Sequence, residues 1–191
     1  FDIIFSFDKK DALKYDLKFI TNYIHLEPKS KGNKIKYKVF SISSIDDRFD
    51  TFNSIIDYFD KNSITHHSLF YDKKPTKNLK KSAIFINKTL NHDEIQEIIE
   101  SSEIILDVLR KNQTGLSFRV FDALALNKKL ITTNKSIKEY DFYNKNNICV
   151  IDPNNISIPS YFLNTRYEKL SDEIYNKYSL ENWIKKVFDG K

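Results

Sequence analysis

EIILDVLRKNQTGLSFRVFDALALNKKLITTN, residues Glu103 to Asn134, reads as one β-α-β unit. Glu103 to Val108 is a short, nearly continuous apolar run, the pattern of a strand buried on both faces. A polar loop follows, holding one of only three glycines in the chain. Then come a helix-period segment and a second β-rich run, KLITT. Such a unit places its loop and its helix N-terminus at the carboxyl edge of a parallel sheet, where open α/β sheets bind ligands.

The helix of this unit has an unusual first turn. Ser117 is a good N-cap, and Phe118, Phe121, Leu124 and Ala125 fall on a stripe expected to pack on the sheet. Arg119 sits where unpaired amides and the helix dipole already make a positive end, which disfavours a cation by a few tenths of a kcal/mol or more. An anion beside it removes that conflict: amides from Thr114 to Ser117, the helix end and the guanidinium would together form a phosphate site. Asp122, three residues on and on the same face, could accept hydrogen bonds from sugar hydroxyls. The alternative is a plain Arg119–Asp122 pair at i,i+3, worth roughly 0.2 to 0.5 kcal/mol.

Working outward, the same alternation repeats. Tyr37 to Ser43 (YKVFSIS) is a strand, and Asp46 to Asn62 a helix with Phe49, Phe52, Ile55, Ile56 and Phe59 on one stripe. Arg48 in its first turn repeats the conflict seen at Arg119, with a surface pair to Asp47 as the alternative. Thr65 to Tyr71 and Ala83 to Ile86 are strands. Asn91 to Ser102 is a helix capped by Asn91, with Ile95, Ile98 and Ile99 inward, and Ile148 to Ile151 is the last strand. The fold class is therefore α/β: a Rossmann-like parallel sheet of about six strands with helices on both faces. At the N-terminus, Phe1 to Asp8 reads as a strand, Asp8 to Tyr15 as a short capped helix and Leu17 to Ile24 as a second extended run. Glu27 to Lys36 and Asn154 to Ser160 are loops. Tyr167 to Tyr178 and Leu180 to Phe188 read as terminal helices, with Trp183 in the core.

Gln-x-Gly-Leu, Arg-x-Phe-Asp-Ala-Leu and Lys-Lys-Leu-Ile-Thr-Thr-Asn, as they stand between Gln113 and Asn134, resemble the donor-binding half of bacterial GT-B glycosyltransferases, in particular the CgeB-like and capsule or lipopolysaccharide biosynthesis types. The resemblance implies the C-terminal half of a GT-B fold, divided as an interdomain crossover over 1–30, a nucleotide-sugar-binding domain over 31–165 and C-terminal helices over 166–191. It implies a nucleotide-diphosphate sugar as donor substrate and a surface-polysaccharide or lipopolysaccharide acceptor. A partner N-terminal domain, the other half of the enzyme, would contact that acceptor. Gln113, Thr114, Gly115 and Ser117 would lie along the pyrophosphate, Arg119 would pair with it, and Asp122 would take the ribose, one methylene shorter than the glutamate usual in the family. The family's Gly-x(4 to 6)-Arg segment would put Arg48 at the donor phosphates, although Ser41 and Ser43 stand where the glycine would be. Asn87 and Lys88 would lie beside the nucleobase, and Asn134, Lys135 and Tyr143 near the donor sugar. The E-x7-E spacing of other retaining GT-B enzymes is absent.

Composition narrows the alternatives. With 191 residues, 40% hydrophobic and 30% charged, the chain fits one globular domain, and it begins at Phe1 with no Met, as a piece of a longer protein would. No run reaches the roughly 18 apolar residues of a membrane span, and no signal peptide is recognised. The single cysteine, in the apolar run at Cys149, suits a buried thiol and a reducing compartment. His25, His66, His67 and His92 have no metal-site spacing and read as structural or surface residues. With no Asp-x-Asp motif either, no metal is expected as cofactor. No G-x-G-x-x-G exists for a dinucleotide. The net charge of +5 is compatible with phosphates or anionic lipid. The basic loop Asp72 to Lys81 could lean on an anionic membrane, but it lacks the aromatics of a nucleic-acid platform. The expected location is cytoplasmic, free or peripheral at the inner membrane face. The non-catalytic alternative is an α/β phosphate- or nucleotide-binding module.

Overall fold

The computed structural model describes residues 3–29, 34–74 and 78–188. In chain order its elements are β1 (Phe5–Ser6), α1 (Lys9–Lys14), β2 (Lys18–Phe19), β3 (Tyr37–Ser44), α2 (Phe49–Lys61), β4 (His66–Tyr71), β5 (Ile84–Ile86) and α3 (His92–Glu100). They continue as β6 (Ser102–Asp107), α4 (Phe118–Ala125), β7 (Lys129–Thr132), a 3-10 turn (Lys135–Glu139), β8 (Ile148–Val150), α5 (Ser160–Asn164), α6 (Asp172–Lys177) and α7 (Leu180–Phe188).

Six strands form one all-parallel sheet in the order β5-β4-β3-β6-β7-β8. This is the doubly wound, Rossmann-like arrangement, with chain direction across the sheet reversing between β3 and β6. Two apolar layers cover the two faces. On one, α3 and α4 bring Ile99, Val120, Phe121 and Leu124 against Phe40, Leu69 and Ile105. On the other, α2 brings Phe52, Ile55, Ile56 and Phe59 against Val39, Phe70 and Ile104, with Ile158 and Phe162 completing the layer. The short apolar runs of β3, β4 and β6 are buried because a strand between two helix layers has no polar face.

The helices end in a way that fits a chain poor in glycine. α1, α2 and α4 are followed by Asp16, Ser63 and Asn127 in the left-handed region, at φ 53°, 54° and 52°. The amides of Leu17, Ile64 and Lys128 then bond back to the carbonyls of Ala12, Phe59 and Ala123. These are Schellman endings with small polar residues where glycine is commonest. Asn91 caps α3, as the sequence predicts, and Glu94 reaches back to complete a reciprocal capping box.

Several expectations need correction. Of the strand expected over Phe1 to Asp8, residues 1 and 2 lie outside the described residues, and among the described ones Phe5–Ser6 forms the strand, pairing in parallel with Lys18–Phe19 in a separate two-stranded sheet. The helix expected from Tyr167 is only Asp172–Lys177, because Glu168 is held in a loop by Asn144, Asn146 and Asn147. A short helix, α5, forms within the segment expected to be a loop and its continuation. Its end is tied down by the buried Lys129, whose Nζ donates to the carbonyls of Phe162 and Thr165. Trp183 is only half-buried and donates Nε1–H to the Thr21 carbonyl at 2.9 Å. Residues 30–33 and 75–77, in the two polar loops, lie outside the described residues. Cys149 is buried in β8, and burial pushes its thiol up to about 11.

Candidate functional site

The first turns of α3 and α4 both face the carboxyl end of the sheet, and a cavity of about 690 Å³ opens between them. His92, Ile95 and Gln96 line it from α3, Phe118, Arg119 and Asp122 from α4, Tyr23, His25 and Leu26 from the segment after β2, and Leu180 from α7. Arg119 donates Nη1–H to Asp122 at 2.5 Å, with the carboxylate side chain only 4% exposed and the guanidinium 29%. Burial pushes the Asp122 carboxyl up, against the fields of Arg119, His25 and His92 and the bond from Arg119. A carboxylate so placed keeps acceptor capacity, and the guanidinium beside it keeps donors for an anion. Phe118 departs from its predicted role: it is 42% exposed and lines this cavity, while Val120, fully buried, takes its place in the packing stripe.

The loop before α4 is held from the other side of the chain. The Asp8 carboxylate accepts the Thr114 amide at 2.5 Å, the Thr114 hydroxyl at 2.5 Å and the Gly115 amide at 3.0 Å, as well as the Lys10 amide that begins α1. Burial pushes the Asp8 carboxyl up, but the bonds from Thr114, Gly115 and Lys10 outweigh it and hold the group at about 2. Two of the amides expected along a pyrophosphate thus already face an internal carboxylate. Gly115 lies directly against Phe7: a Cβ there would stand 2.4 Å from the Phe7 carbonyl oxygen. Gln113 donates its side-chain amide to the Gly115 carbonyl at 3.1 Å and stiffens the same turn.

Ser117 caps α4 by accepting the Arg119 amide at 3.2 Å, and its own hydroxyl donates to Asp107 at 2.8 Å. Asp107, at the end of β6, also accepts the Thr132 hydroxyl of β7 at 2.9 Å. Burial pushes the Asp107 carboxyl up, against these two bonds and the fields of Arg48 and Arg119. One buried carboxylate therefore fixes where α4 begins relative to two strands. Ser117→Ala removes the cap and one of these bonds, and is expected to lower stability by about 2 kcal/mol in urea titration.

The remaining candidate residues are dispersed. Arg48 stands at the N-cap of α2, where the strand order reverses; it chelates Asp46 rather than Asp47 and donates Nη1–H to the Val108 carbonyl at 3.2 Å. Arg110 reaches the same Asp46 carboxylate at 3.5 Å. Asn87 and Lys88 are exposed on the turn after β5 and do not line the first cavity. Asn134 is buried; its Nδ2 donates to the carbonyls of Thr114 and Gly115 and its Oδ1 accepts the Ser136 amide. Thr114 and Asn134 line a second cavity, of about 520 Å³, that shares no lining residue with the first.

Sequence reading missed the histidines. His25 and His92 are 67 positions apart, yet their rings meet edge to face at 6.4 Å, and Phe118 lies 5.5 Å from His25 and from Tyr23. No local pattern joins them; only the return of the 20–26 segment across the helix starts does so. The adjacent pair behaves as expected for a strand, with His66 toward Phe59 and His67 stacked on Tyr37. His66 also lies between Asp60 and Ser68, at 3.2 and 2.9 Å. Ser68 is 1% exposed, and this serine-histidine-aspartate row ties β4 to the end of α2. Among the described residues no group of three or more His, Cys, Asp or Glu could hold a metal ion, and no helix is long and apolar enough to cross a membrane.

Among solved structures the chain is similar to one described as the glycotransferase of kitacinnamycin, with 11% identity and a TM-score of 0.42. The match covers 73% of this chain and 38% of that one, so this chain spans well under half of that protein's length. No protein-family model and no curated protein matches the sequence.

Proposed function

We propose that this chain is the nucleotide-sugar-binding domain of a glycosyltransferase that builds a surface polysaccharide or lipopolysaccharide. The observation that carries it is the Arg119–Asp122 pair: a buried carboxylate and a partly buried guanidinium at the start of α4, both opening on the aromatic-walled cavity at the carboxyl end of the sheet. In this assignment Asp122 accepts hydrogen bonds from the vicinal hydroxyls of a ribose. Arg119 meets the diphosphate, and the base rests among Tyr23, His25 and Phe118. The protein's chemical contribution is electrostatic: a guanidinium and a helix end stabilise the nucleoside diphosphate as it leaves. Residues 1–30 would be the crossover from a partner domain that carries the acceptor and any general base, with the protein working in the cytoplasm or at an anionic inner membrane face.

The test is a thermal-shift panel of UDP, GDP, CMP, TDP and ADP. One diphosphate at a hundredfold excess over its Kd is expected to stabilise the chain by about 2.7 kcal/mol, roughly 5 to 10 °C at this size. Arg119→Ala should remove most of that shift. Equal shifts in parent and variant would take Arg119 out of the site. One observation favours a second reading, a nucleotide-binding module without transfer: Asp8 occupies the Thr114 and Gly115 amides. That reading expects a nucleotide-sugar to bind without losing its sugar, even with the partner domain present.

A further inference from the structure

The second cavity has a chemistry of its own. It lies at the carboxyl ends of β6 and β7, between α1 and the 3-10 turn, and Lys9, Lys10, Lys135, Thr133 and Glu139 are among its lining residues. Lys9 donates to Glu139 at 2.7 Å, which answers one cation with the one lining carboxylate. Among the described residues no carboxylate lies within salt-bridge distance of Lys10 or Lys135. Asp8 stands nearby, but its oxygens hold the Thr114 and Gly115 donors. Counting Asp8 and Glu139 against the three lysines still leaves a positive wall.

The floor is tied to the chain by hydrogen bonds and carries a hydroxyl. Thr133 Oγ1 accepts the Leu109 amide at 2.9 Å, so its hydroxyl proton is free for a ligand. Asn134 beneath it is buried, with both ends of its amide bonded to the chain. Unpaired ammonium groups beside a fixed hydroxyl, in a cavity of about 520 Å³, suit a small molecule with a multiply charged oxyanion. We infer that this cavity is a binding site for a phosphate-bearing ligand, seated by Lys10, Lys135 and the Thr133 hydroxyl. It is separate from the Arg119–Asp122 cavity, and it stands whether or not that cavity takes a nucleotide.

Titration of the 15N-labelled chain with inorganic pyrophosphate, followed by amide NMR, reads the two cavities apart. The amides of Thr133, Lys135 and Ser136 are expected to shift on binding. In a Lys10→Gln/Lys135→Gln double variant the Kd read from those amides should rise at least about tenfold. Both lysines are exposed, so the variant keeps its fold, and the dispersion of the same spectrum verifies it. Shifts confined to Phe118 to Asp122, no shifts at all, or an unchanged Kd in the double variant would each overturn the assignment.

Discussion

Gly115→Ala is expected to cost about 3 kcal/mol of stability, a large loss for adding one methyl group. The reason is steric and local. The new Cβ would meet the Phe7 carbonyl oxygen at 2.4 Å and its ring at 2.6 Å, and the carbonyl is backbone, so no rotamer change relieves it. Either the 113–117 loop or the Phe7–Asp8 segment must move. Moving either one pulls the Asp8 carboxylate from the Thr114 and Gly115 amides. Urea denaturation measures the loss, and a cost below about 1 kcal/mol would mean that Phe7 does not sit on the loop in solution.

Asp8→Ala is expected to cost a similar amount, about 3 kcal/mol. It orphans two loop amides, one of them buried, together with the Thr114 hydroxyl, and removes the N-cap of α1. Because both substitutions undo one contact, the double variant should lose clearly less than the sum of the two, a coupling of about 1 kcal/mol or more. Full additivity would mean that Gly115 and Asp8 act separately. The pH dependence carries the same signature. The folded carboxyl of Asp8, at about 2, lies below its ordinary value of 3.8, so its contribution is complete above the latter and is lost as pH falls through the former. Asp107 and Asp122, pushed up by burial, act with the opposite sign: they favour the fold in acid and weaken it as pH rises. The Asp8→Ala variant should therefore lose less stability than the parent between about pH 4 and pH 2. Parallel acid profiles would sink that account.

The candidate site was legible in proportion to how local its parts are. Arg119 and Asp122 are three apart on a single helix, so spacing alone puts them on one face, and the pair forms as that spacing allows. The fate of the loop amides was not legible. A glycine in a loop before a helix reads as room for a phosphate, whereas here the room is taken by Phe7, more than a hundred residues earlier in the chain. Arg48 shows the same limit: its bond to the Val108 carbonyl, 60 residues away, depends on β3 lying beside β6.

The central sheet, the order of its elements and most of the helix faces that cover it were determined by the sequence itself. Continuous apolar runs and 3.6-residue stripes state which surfaces must leave water, and a parallel doubly wound sheet is the arrangement that buries them all. Which side chains meet across the carboxyl edge was decided only by the tertiary structure. The pairing of His25 with His92, the seat of Asp8 on the 114–115 amides and the division of that edge into two cavities all join segments distant in the chain. Hydrogen bonds and close contacts of that kind are set by where the segments cross, to within an ångström, and no periodicity in the chain encodes that distance.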